Sequence, residues 1–315
     1  MTHDLPHALL LASQRALALT LLAALTACGG GGGGGGGGSN GGAQTTAEAP
    51  SRTTTPTTTT TPSETSAPET AEAQVPAPTE TPEVTLLALY SPGVEAQFDD
   101  AELRIAHLVS VANGILTDSG VDGRFRLVGS VRVDYPEGVG ATAALDDLTH
   151  ATHAAFAGVA ARRDELAADL VLLVRPYAND GYCGYAWLGG HLSEGDFAPA
   201  AADFGYLVVA SNCADYTLAH ELGHSLGLAH SRREDPEGGA WPYSVGHGVE
   251  QDFVTLMATP EAFNARRLPR LSSPSLSCND QPCGVPHDDP VHGADAARTL
   301  THTFKEVADY RSGED

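Results

Sequence analysis

Residues 220–230 read His-Glu-Leu-Gly-His-Ser-Leu-Gly-Leu-Ala-His, and the spacing within this run decides the fold around it. Residues four apart on an α-helix differ by about 40° in direction, so His220 and His224 project from one face. Two imidazoles placed that way can reach one zinc ion at roughly 2.0–2.1 Å. Glu221 lies on the neighbouring face, within reach of a water on that ion without ligating it. Gly227 follows His224 by three residues, and a glycine there admits the left-handed turn that ends a helix sharply. The chain can then swing His230 back as a third ligand. On a continued helix, His230 would lie too far from His220 to share a metal. Three neutral imidazoles leave one position of a single catalytic zinc open to water, and Glu221 is the base expected to take that water's proton.

The whole run resembles the zinc-binding motif of the metzincin proteases. Met257, in Thr255-Leu256-Met257-Ala258, lies beyond His230 and resembles that family's Met-turn, which runs beneath the three imidazoles. Through Ser231 the motif's own letters look like the matrixin version. The surroundings resemble bacterial reprolysin-like (adamalysin-related) domains instead. The resembling stretches are Asn113 to Leu127, Asp169 to Val174, Cys183-Gly184-Tyr185-Ala186, Cys213, and Leu271-Ser272-Ser273-Pro274. Two departures stand out: Ser231 replaces the Asp usual in adamalysins, and Thr259 is not the ligating Tyr of astacins. This similarity covers most of residues 84–311. It implies an α/β (α+β) fold with a twisted mixed sheet, long covering helices, the active-site helix and a C-terminal helix. It also implies a metalloendopeptidase acting on protein or peptide substrates. Substrate would lie as an added strand along an edge strand, here Gly184–Leu188, with Gly184, Tyr185 and Ala186 as its contacts. The alternatives are a matrixin-like protease, or a binding module with an idle zinc site; Glu221 and every other catalytic position are present, which favours the enzyme.

Hydrophobic patterning supplies a coarse map. Leu86–Tyr90 reads as an opening strand, and Asp99–Asp118 as a helix carrying Leu103, Ala106, Val109, Ala112, Ile115 and Leu116, capped by Asp99 or Asp100 and stopped at Gly120. Arg124–Asp134 alternates like a strand. A long alanine-rich helix is expected around Ala143–Ala168. The apolar run Asp169–Arg175 suits a buried central strand. Gly184–Leu188 and Gly205–Ala210 read as further strands, Tyr216–Leu228 as the motif helix. Ala294–Tyr310 reads as a terminal helix with Ala297, Leu300, Phe304, Val307 and Ala308 inward.

Upstream, the chain changes character. Arg15 followed by the apolar stretch Ala16–Leu25 reads as a secretory signal, too short to span a bilayer. Leu25-Thr26-Ala27-Cys28 resembles a bacterial lipobox, which implies cleavage before Cys28 and lipidation of its sulfur, placing the enzyme outside the cytoplasm on a bacterial membrane. Residues 29–83 combine a glycine homopolymer (Gly29–Gly38) with a Thr/Pro/Glu/Ala/Ser stretch too poor in apolar side chains to pack, and read as a disordered tether. No cysteine between residues 29 and 182 could block a metal, so activity without zymogen processing is expected. The globular domain is then 84–315.

Formal net charge is −23, which argues against nucleic acid as a partner; a monomer is expected. Apart from Cys28, the cysteines are Cys183, Cys213, Cys278 and Cys283, an even number in an exported chain. The short spacing of Cys278 and Cys283 favours a local bridge, which leaves Cys183–Cys213. His150 and His153 on a helix, and His191, His247, His287 and His292 in loops, read as surface residues because no third ligand accompanies them. Asp288 and Asp289 are calcium candidates whose spacing supports no specific site.

Overall fold

Leu170-Val-Leu-Leu-Val174 is apolar at every position, and such a run is stable as a strand only where both faces are covered. The computed structural model, which describes residues 25–29 and 81–311, puts it at the heart of a six-stranded sheet. The strands are β1 (Leu25–Gly29), β2 (Glu83–Tyr90), β3 (Arg124–Arg132), β4 (Leu170–Arg175), β5 (Tyr182–Trp187) and β6 (Tyr206–Ala210), in the order β1-β5-β6-β4-β2-β3. Strands β3, β2, β4 and β6 are parallel, while β5 runs antiparallel to β6 and β1 antiparallel to β5.

Side chains of alternate residues feed two cores. Leu86, Ala88, Leu170, Leu172 and Val174 point to one side, where they meet α2 (Ala101–Asp118), α5 (Thr217–Ser225) and, beyond the one-turn α6 (Pro260–Phe263), α7 (Ala296–Ala308). Leu87, Leu89, Val171 and Leu173 point to the other, against α3 (Ala141–His150) and α4 (Val159–Glu165). Period-two alternation across a doubly covered sheet thus sorts the helices into two layers.

Most expected elements are present with shifted limits, and the shifts have causes. The opening strand begins at Glu83, where the carboxylate joins Arg124 and Arg126 of β3, and Thr81 already bonds Asp122 at 2.9 Å. Among the described residues, contacts of this domain thus begin at Thr81, ahead of the expected 84. A short helix α1 (Pro92–Gln97), not anticipated, follows β2. Helix α2 is capped by Asp100, whose side chain accepts from Leu103 N, and Gly120 follows it at φ +69°. Its buried face is Ile105, Leu108, Val109, Ala112, Ile115 and Leu116, so the expected inward Leu103 is 67% exposed and Ala106 also faces out. The register between β2 and β3 slips where Leu86 faces Leu127 but Leu87 faces Gly129, and within β3 only Phe125 is buried, with Val133 buried just beyond its end. The long helix expected over 143–168 is broken. Ala151 takes a left-handed conformation, His153 Nδ1 accepts from Ala155 N to start a 3₁₀ turn, and Gly158 precedes α4. Helix α7 buries Ala297, Leu300, Phe304 and Val307 as expected, with Ala308 half-buried.

Both disulfides form as expected, Cys183–Cys213 and Cys278–Cys283. The edge of β5, where substrate is expected to add as a strand, is lined by β1, with Cys28 opposite Gly184 and Gly29 opposite Tyr182. The rest of the expected leader and tether, residues 1–24 and 30–80, lies outside the described residues.

Candidate active site

Helix α5 stops where the motif requires. Gly227 sits at φ +88°, its N–H donating to His224 O (2.9 Å), while Leu228 N–H reaches back to Gly223 O (2.9 Å). This pair of bonds is a Schellman ending, and glycine suits it because a side chain is strained there. A Cβ on Gly227 would also stand 2.8 Å from Ala240 Cβ. The chain leaves into β7 (Ala229–Ser231), which pairs with β8 (Val245–Gly246) and returns His230 to the helix.

The three imidazoles converge. Their centroids are 4.8 Å (His220–His224), 5.4 Å (His220–His230) and 4.8 Å (His224–His230) apart, and one nitrogen of each lies within 4.8 Å of the others. Each ring is steered by its other nitrogen. His220 Nδ1 donates to Leu256 O (2.9 Å) and His224 Nδ1 to Leu228 O (2.7 Å), which leaves both Nε2 atoms as acceptors 3.1 Å apart. His230 Nδ1 meets Asp235 Oδ2 at 3.2 Å, and the same oxygen accepts His230 N–H at 2.8 Å. Outward N–H groups held by carbonyls and a carboxylate are the outer-shell pattern of metal-binding histidines. All three residues are buried.

Burial sets their charge. Desolvation and the neighbouring imidazoles hold His220 well below the usual histidine range, and the same desolvation with His230 beside it brings His224 down to about 3. Near neutrality both rings are uncharged and turn their Nε2 lone pairs inward, the donor set that suits zinc.

Glu221 is fully buried beside them, under β5. A Cβ on Gly184 would stand 2.6 Å from both Cγ and Cδ of Glu221, so the strand passes over the carboxylate with room only for glycine. Tyr185 and Ala186 turn into the sheet's cores, and what they offer the cleft is backbone. Cys183 ties β5 through Cys213 to the segment leading into α5. Met257 is fully buried, with Sδ 2.8 Å from where a Cβ on Gly223 would lie, and therefore runs under the helix.

Some participants have no signal in the motif. Asp235, which orients His230, is one. Glu234 is another: it accepts Ser231 Oγ–H (2.7 Å) and Thr259 Oγ1–H (2.6 Å), linking β7 to the segment after Met257. Ser231 and Thr259, the two departures from the family pattern, are thus joined through one carboxylate. Arg267 is a third; its guanidinium lies 5.1 Å from the Tyr216 ring centroid and donates to Ala258 O. The other histidines stay apart. His150 and His153 serve their own helix ends, and His287 packs on Tyr243. Asp289 accepts from Val291 N and His292 N in a turn. Among the described residues, the three motif histidines are the one group of three or more metal-capable side chains that converges, and no calcium cluster forms.

Comparison with known proteins agrees with this geometry. The chain is 34% identical over 252 residues to a peptidyl-Asp metalloendopeptidase of Pseudomonas aeruginosa, covering 72% of this chain and 40% of that protein. A protein of the same name from Stenotrophomonas maltophilia is 28% identical over 212 residues, covering 64% and 46%. The chain thus spans less than half the length of these curated relatives. Among solved structures, a chain described under "Structure of a chaperone-substrate complex" shares the fold with a TM-score of 0.56 at 21% identity, over 74% of this chain and 35% of that one. Residues 81–284 match the family model described as metallo-peptidase family M12B, reprolysin-like, and with three metal-facing histidines in place the chain belongs to that family.

Proposed function

We propose that this chain is a zinc-dependent endopeptidase that cuts extracytoplasmic proteins beside aspartate residues. The observation that carries it is the convergence of His220, His224 and His230 with Glu221 buried at their side beneath β5. His220, His224 and His230 would hold the ion. When bound, zinc supplies a Lewis acid that makes water nucleophilic near neutral pH and polarises a carbonyl. Glu221 takes the proton of the attacking water and returns a proton to the leaving amine nitrogen. Strand β5 presents backbone donors and acceptors that hold the substrate extended across these groups. Aspartate enters from the names of the relatives.

Glu221→Gln tests the reading. The variant is expected to bind one zinc per chain while losing at least about 1000-fold in peptide cleavage, since its amide cannot accept the proton; cleavage at the wild-type rate with zinc bound would sink the proposal.

Localisation rests on sequence. We infer that residues 1–28 are a lipoprotein leader, that 29–83 tether the domain, and that the lipidated Cys28 anchors it to a bacterial membrane. Cleavage before Cys28 would cut β1 and remove Leu25–Ala27 from beside Trp187, Ala186 and Tyr185. Loss of membrane partitioning in Cys28→Ser checks the anchor.

A further inference from the structure

The cleft has a direction. Strand β5 and helix α5 run side by side in the same sense: Gly184 passes over Glu221, and five residues on, Gly189 N–H donates to His224 O (2.9 Å). A peptide antiparallel to β5 therefore travels against the helix. Strand β1 shows such a path, its residues passing from opposite Trp187 to opposite Gly184 and then Tyr182. With the scissile bond held over Glu221, the residue on its carboxyl side heads for the N-terminal end of α5.

Arg267 stands at that end. Tyr216 is the residue before α5, and its carbonyl accepts His220 N–H (3.1 Å), one turn before the first ligand. The Arg267 guanidinium lies over the Tyr216 ring and donates through Nε (3.3 Å) and Nη2 (3.0 Å) to Ala258 O. Ala258 lies two residues beyond Leu256, whose carbonyl holds the His220 ring. The guanidinium is thus bracketed by the first turn of the active-site helix and the Met257 segment, on the His220 side. Its charge is among those that disfavour protonation of His220.

Like half of the described arginines, Arg267 has no carboxylate partner. With 40 Asp and Glu against 17 Lys and Arg, carboxylates are in excess, yet among the described residues none lies within 4.0 Å of Arg267. The side chain is half-buried, pinned by the ring and the carbonyl, and Nη1 makes no hydrogen bond to the described residues. A fixed guanidinium with spare donors matches a carboxylate, and discrimination is strong where a polar group is left unsatisfied by the wrong substrate.

Building on the endopeptidase reading, we propose that Arg267 selects substrate by binding the side-chain carboxylate of an aspartate on the carboxyl side of the scissile bond. Tyr216 and Ala258 position it.

The test uses the full chain with zinc bound and a set of quenched fluorescent peptides identical except for Asp, Asn, Ala or Lys following the scissile bond. Wild type is expected to favour Asp over Asn in kcat/KM by on the order of 10- to 100-fold. In Arg267→Gln that ratio is expected to collapse toward one, and in Arg267→Glu the Lys peptide becomes the best of the set. The ratio within each variant is the readout, so a general loss of activity cancels. If Arg267→Gln fails to take up zinc, Arg267→Lys replaces it, and the ratio is expected to drop at least about threefold because lysine lacks the planar fork. An unchanged ratio in either variant, or a wild type indifferent to Asp, overturns the assignment while leaving the endopeptidase reading intact. Zinc-loaded wild type that cuts neither the peptides nor casein overturns that reading instead.

Discussion

Gly184 shows how closely the cleft is built at the level of single residues. Glu221 has no exposed surface to retreat into, so a methyl group at 184 must displace either the strand or the carboxylate. Overpacked interiors respond by shifting side chains off their rotamers, and small misplacements of a catalytic group are costly. Gly184→Ala is expected to lower kcat by on the order of tenfold or more at unchanged zinc content, measured by metal analysis beside peptide cleavage. Zinc loss in parallel with activity would show that the strain is relieved at the histidines instead. The ligands and Glu221 are legible from spacing alone, because the helical period is local information. Gly227 is legible for the same reason. Asp235, Glu234 and Arg267 are not, since each acts through a partner that only the folded chain brings near: His230, Thr259 and Tyr216.

Among the elements, β5 and α5 form the working pair, and Cys183–Cys213 joins the strand to the approach to the helix across 30 residues of sequence. A crosslink closing a loop of this size removes conformational entropy from the unfolded chain, typically 2–4 kcal/mol in order of magnitude. Cys183→Ser together with Cys213→Ser is therefore expected to lower unfolding stability by about 2–4 kcal/mol in denaturant titrations. Removing the Cys278–Cys283 bridge, which spans only five residues, is expected to cost less. The strand, the motif helix and both bridges follow from the sequence. The alanine-rich stretch misleads because alanine is a good helix former wherever it occurs. What breaks it is a left-handed Ala151 and a His153 cap, neither of which propensity signals. Leu103 and Ala106 fall outside the buried face of α2 for a related reason: the sequence offers several apolar stripes, and packing selects the one through Ile105 and Leu108.

At the scale of the whole molecule, doubly buried β4 announces a sheet with helices on both sides, while strand order and the antiparallel turn of β5 emerge only from the structure. Acid should act on this architecture through its centre. His220 and His224 titrate below the ordinary histidine value of 6.5 because they are buried, so between that value and their folded ones the unfolded chain binds more protons. Stability of the metal-free protein is therefore greatest above pH 6.5 and is lost as pH falls toward 3. The slope is about 1.4 kcal/mol per pH unit for each such group once the unfolded chain is protonated there. Thermal unfolding of chelated protein at pH 7 and pH 5 checks this; a melting temperature that rises on acidification contradicts it. A last consequence belongs to the edge of β5. Any visitor there must arrive as a bare strand, as the five residues of β1 do, with backbone donors and acceptors to spare. A compact target offers no such stretch until it frays. On the proposed endopeptidase reading, the choice of target is then governed as much by local unfolding in the target as by its letters, and well-packed proteins are expected to be cut only at their linkers.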